Sequence, residues 1–241
     1  MVINSMLDHV IHWLDIAGTA VDALLVVRVL QLRLYRIYLF ITLACVLSVF
    51  FDAVQLWLGI NSDENQRVFI YSRFLYAFLY PVVAWDAFEE IKDQVSKLRR
   101  LAIGRLISGL FFAALFGFIV TLFISADQEQ PALSATLAII LWAGSCTASL
   151  AFLWSLQRAL KAQQITRPNN TFVWMTFYQL TLIAEIAACF GGVVTSFLNA
   201  TAQGVLNICL LTYGILITAW CVTKLKRLPS DVSTTANADL S

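Results

Sequence analysis

Seven long runs of apolar residues, separated by short polar stretches, define the pattern of this chain. They extend from about Val10 to Val27, Ile37 to Ile60, Val68 to Ile91, Leu101 to Ile124, Ala132 to Leu156, Phe172 to Phe197 and Gly204 to Val222. Each approaches the roughly 20 residues an α-helix needs to cross the hydrocarbon of a bilayer. Helices are the expected solution, because backbone groups in lipid find partners only within their own segment. The runs are too long, and alternate too little, for the strands of a membrane barrel.

The polar stretches alternate in charge. Arg28, Arg33 and Arg36 follow the first run, and Lys92, Lys97, Arg99, Arg100 and Arg105 follow the third. Arg158, Lys161 and Arg167 follow the fifth, and Lys224, Lys226 and Arg227 the seventh. Fourteen of the sixteen basic residues thus fall on one side. The opposite loops NSDENQR, SADQEQP and LNATAQ hold one basic residue, Arg67. The positive-inside rule then places the N-terminus outside and the C-terminus in the cytoplasm. The expected fold is an all-α integral membrane protein, a seven-helix bundle over residues 1–227. The polar tail LPSDVSTTANADLS (228–241) is expected to be disordered. No basic residue precedes the first run, so a cleavable signal peptide is not expected.

Composition agrees. Of 241 residues, 60% are hydrophobic and 13% charged, with a mean hydropathy of +0.78, against about 45–50% and 25% in soluble domains. Nucleic-acid binding and a disulfide scaffold are excluded on this ground. The five cysteines lie inside apolar runs without a CxxC pair, and read as small buried residues. His9 and His12 share one helix, which disfavours a haem held between facing helices. The seventh run carries no lysine before Lys224, so a retinal Schiff base has no amine. No catalytic motif is present, and neither an enzyme nor a cofactor is expected. The odd number of runs argues against a two-half inverted repeat.

The candidate chemistry lies in ionisable groups at lipid depth, which are costly and mark either function or pairing. Asp8, His12, Asp15, Thr19 and Asp22 recur at spacings of 4, 3, 4 and 3, within about 80° of one another on a helix. Such a stripe suits an ion path or a polar ligand pocket. The plainer alternative places its outer end among headgroups. No metal is expected from Asp8 and His12 alone. In the third run Arg73, Tyr76 and Tyr80 share a face, ahead of Pro81 and Asp86. Arg73 is the one basic residue placed within a span, and its candidate partners are Asp52, Glu185 and the upper acids of the first run. Glu185 shares a face with Tyr178 and Thr181. The alternative reading of the third run is an aromatic core helix with snorkelling ends.

The stretches RLYRIYLFITLACVLSVFFDAV (Arg33 to Val54) and YSRFLYAFLYPVVAWDAFEEI (Tyr71 to Ile91) resemble small seven-helix membrane proteins of unknown function from Acidobacteria-type genomes. Arg33, Tyr35, Arg36 and Tyr38 match that group's basic–aromatic lead-in to the second helix, and Tyr76, Tyr80 and Glu89 its third helix. The resemblance implies a seven-helix topology and a bacterial cytoplasmic membrane, and no activity.

Three readings of function follow. The first is a sensor or receptor-like bundle that binds a small molecule or ion and signals through a partner at its basic face. The second is a non-catalytic subunit of a larger membrane assembly. The third is a proton- or ion-coupled transporter or channel using the intramembrane carboxylates. The expected partners are the bilayer and other membrane proteins or further copies of the chain.

Overall fold

The computed structural model describes residues 2–59, 62–94, 100, 103–104, 106–111, 114–115, 130–196 and 200–228, with side chains left aside at 2–5, 8, 130–135, 192–196 and 200. Among them no strand occurs. Six long helices are present: α1 (Val2–Gln31), α2 (Leu39–Leu58), α3 (Asp63–Asp86), α4 (Gln130–Ala162), α5 (Asn169–Ser196) and α6 (Ala200–Lys224). All six are long and apolar enough to cross a membrane. The predicted fourth span, Leu101 to Ile124, lies largely outside the described residues. Its described fragments are helical, and Gly109 there packs against Ala148 of α4. The tail expected to be disordered also lies outside them, from residue 229 onwards.

The helices overrun the apolar runs, because polar turns continue a helix beyond lipid. α3 begins at Asp63, five residues before its run. The Ser62 side chain caps it by accepting from the Asn65 N–H at 3.1 Å. Asp63 and Glu64 in its first turn complement the helix dipole. The α1–α2 connection tightens into a 3₁₀ turn (Leu34–Arg36) behind Arg33, which takes a left-handed φ of 56°. α2 has no side-chain cap of its own. Asp86, from the end of α3, supplies one by accepting the Ile41 N–H at 2.9 Å.

The six helices pack as a ring, each against its neighbours in sequence and α6 against α1. Two of these pairings run parallel. α1 meets α6 through Leu7 with Gly204, Gly18 with Ile215, and Arg28 with the Leu225 carbonyl. Each pair is separated by 197 positions. α3 and α4 are parallel too: Arg73 lies over Trp142, Ser145 meets Ala77, and Trp85 and Phe88 meet Phe152. α5 and α6 approach closely where Gly191 lies against Leu206, so that a Cβ would collide.

Pro81 lies inside α3, and the helix continues through it. Its missing N–H frees the Ala77 carbonyl, four residues earlier. The buried Ser145 hydroxyl of α4 donates to that carbonyl and restores the bond. Ser145→Ala should therefore cost about 1–3 kcal/mol, read as a lowered thermal midpoint in detergent. Adding Pro81→Ala should recover much of the loss by returning an N–H to Ala77. A double variant no more stable than Ser145→Ala would contradict this account.

Candidate functional site: a polar centre inside the bundle

Arg73 stands ten residues into α3, and Glu185 sixteen into α5, so both lie at least about 15 Å from either helix end. Arg73 Nη1 donates to both carboxylate oxygens of Glu185, at 3.4 and 3.3 Å. Tyr80 OH donates to Glu185 Oε1 at 2.8 Å. The guanidinium also lies over the rings of Phe69 (4.6 Å) and Trp142 (4.3 Å), a favourable cation–π setting. Of the three candidate partners for Arg73, the structure selects Glu185. It spends both carboxylate oxygens on one ion pair and one phenol, which removes most of the cost of a charge at this depth.

The aromatic face of α3 carries the polar centre towards α2. The Tyr76 and Tyr80 rings stack with centroids 5.5 Å apart and planes 18° apart. Phe51 meets Tyr76 edge-on at 6.1 Å. Beyond Tyr76, Ser48 Oγ donates to Asp22 Oδ2 at 3.2 Å. The side chains of Asp52 and Thr218 lie close to the same carboxylate. Asp22, Asp52, Arg73, Tyr76, Tyr80 and Glu185 thus form one polar interior contributed by α1, α2, α3 and α5.

Other candidates fall elsewhere. The stripe on α1 divides. Asp22 joins the centre and Asp15 is half-buried, but His12 is exposed beside Trp13. Thr19 turns its hydroxyl onto its own helix, donating to the Asp15 carbonyl at 2.9 Å. The side chain of Asp8 lies outside the described residues. The stripe therefore does not line the interior along its length, since His12 turns outward from the face that carries Asp22 inward. Asp86 is 4% exposed and caps α2, a structural duty. Tyr178 is buried against Trp174 and Phe177, opposite Cys45. Thr181 is half-buried and joins none of the centre's hydrogen bonds among the described residues. Among the described residues no three His, Cys, Asp or Glu side chains are grouped to hold a metal ion.

A second polar knot closes the basic end. Tyr38 OH donates to Glu90 Oε2 at 2.6 Å, and Thr171 Oγ1 reaches the same oxygen at 3.4 Å. Burial and the adjoining Glu90 carboxylate hold the Tyr38 phenol well above its ordinary value, so it remains a donor. Asn169 and Asn170 bind the backbone of Lys224 and Lys226, and Arg28 that of Leu225. α1, α2, α3, α5 and α6 are tied together there.

Sequence reasoning missed Ser48, Phe69, Trp142 and Ser145. The spacing of Trp142, Ser145 and Ser149 by three and four marks one face of α4, and that was the available signal. Comparison with protein-family models, curated protein sequences and solved structures gives no match. The geometry alone supports a functional reading.

Proposed function

We propose that the chain is a seven-helix integral membrane protein of sensor or receptor type, with its N-terminus outside a bacterial cytoplasmic membrane. A small molecule enters the bundle at the Arg73–Glu185 centre, and the resulting shift of α3 against α5 reaches a partner at the basic end. The parallel α1–α6 and α3–α4 pairings support the odd count, and the one-sided basic loops support the orientation.

One observation carries the ligand reading. Arg73 and Glu185 are held by groups from α3, α4 and α5 at mid-depth, yet retain 22% and 20% of their side-chain surface. A structural pair closed off at this depth would keep none. The polar knot at the basic end supports the output, since five helices meet there and a movement of one is felt by the others. A transport reading has one specific support: Asp22, with Ser48, Asp52 and Thr218 close by, extends the polar interior beyond the Arg73–Glu185 pair across three helices.

Native mass spectrometry of the gently purified protein tests the proposal. A small-molecule adduct is expected on the unaltered chain, with occupancy about tenfold lower in Glu185→Gln, where a charge-assisted bond is lost. An unaltered chain free of adduct, together with pH-driven ion flux in liposomes, would replace the sensor reading by transport.

A further inference from the structure

Two hydrogen-bond donors beside the ion pair have no partner. Trp142 is 4% exposed, and its indole Nε1–H is buried without an acceptor among the described residues. Arg73 Nε–H is buried in the same condition. The two residues touch, since the guanidinium lies 4.3 Å from the Trp142 ring. A buried donor left unmade costs about 1–3 kcal/mol, so two at one spot imply an acceptor brought from elsewhere.

The surroundings restrict what that acceptor is. An ammonium group or a metal cation offers no lone pair to an N–H, so a cation leaves both donors unmet. An anion meets the Glu185 carboxylate, and Asp52 faces Arg73 from α2. The charge of Arg73 is already matched by Glu185. A neutral oxygen remains. Its carrier must suit walls made of flat rings: Phe69 and Trp142 about the guanidinium, and the stacked Tyr76 and Tyr80 beside it.

Resting on the interior-ligand reading, we infer that the centre takes a neutral, flat, carbonyl-bearing molecule soluble in the bilayer, such as a quinone head group. Its carbonyl oxygen accepts from Trp142 Nε1–H and Arg73 Nε–H while the ring lies against the aromatic walls. Both donors are buried, so binding requires the Trp142 indole to turn aside.

The test uses menadione, 2-methylnaphthalene (the same skeleton without carbonyls) and benzoate, titrated against the full chain in nanodiscs. Menadione is expected to bind saturably, and 2-methylnaphthalene about tenfold more weakly. Trp142→Phe should weaken menadione about five- to tenfold and leave 2-methylnaphthalene within about twofold. The carbonyl stretch of menadione bound to the unaltered chain should fall in frequency, a readout that needs no variant. Equal binding of the two ring compounds, an unshifted stretch, or indifference of menadione to a folded Trp142→Phe would overturn the inference, leaving water as the acceptor. Benzoate binding that is lost in Arg73→Gln would overturn the carbonyl class while keeping the interior site. Failure of all three probes, with no adduct on the purified chain, would overturn both.

Discussion

Glu185→Leu is expected to lower the thermal midpoint of the purified protein by about 10 °C. The substitution leaves Arg73 at mid-depth with no carboxylate against it. Removing one partner of a buried pair typically costs about 3–5 kcal/mol, and each kcal/mol shifts the midpoint of a chain this size by about 2–4 °C. Tyr80 loses its acceptor in the same step. Arg73→Met should cost a comparable amount, since Glu185 is then the stranded charge. The double variant Arg73→Met/Glu185→Leu should recover most of the loss, because it strands neither group and refills the space with apolar atoms. The recovery separates an ion pair from two independent packing contacts, which would add. Additive losses would show that the two side chains are not energetically paired.

Much of the architecture was legible because lipid imposes few solutions. Run length marks six helices that the structure shows to be long and apolar enough to cross a membrane. Helix ends were less legible. Asp63 to Arg67 read as a loop by polarity, yet a cap at Ser62 and two acids in the first turn make them helical.

The centre was legible in part. An arginine deep in the third run required a carboxylate partner, but choosing Glu185 over Asp52 depends on which helices face each other, and spacing along one helix carries no such information. The α1 stripe shows the same limit. Its residues share a face by angle, yet His12 is exposed while Asp22 is half-buried, because spacing along one helix does not say which neighbours cover that face at each level. Asp86 looked like an intramembrane acid of functional interest. It serves as a helix cap for α2, a role invisible where cap and helix are far apart in sequence. Ser145 was hidden among small residues that read only as packing, although Pro81 announced that some donor had to meet the Ala77 carbonyl.

The second large effect concerns the path of the chain. α1 and α6 run parallel at a constant offset of 197 residues, α3 and α4 run parallel as well, and the seven-crossing proposal accounts for both. An even number of crossings would reverse α6 against α1 and separate Arg28 from Leu225, Gly18 from Ile215 and Leu7 from Gly204. It would also scatter the basic residues over both faces, against the asymmetry that orients such chains.

The measurement that tests the seven-crossing bundle most directly is sidedness of labelling in intact cells. Single cysteines are placed at Met6 and Glu64 on one end, and at Gln163 and Lys226 on the other. A membrane-impermeant maleimide should label Met6→Cys and Glu64→Cys from outside, above the signal of the parent chain. Gln163→Cys and Lys226→Cys should react only after the membrane is opened. Labelling of Met6→Cys and Lys226→Cys from the same side would contradict the account, since it requires an even number of crossings.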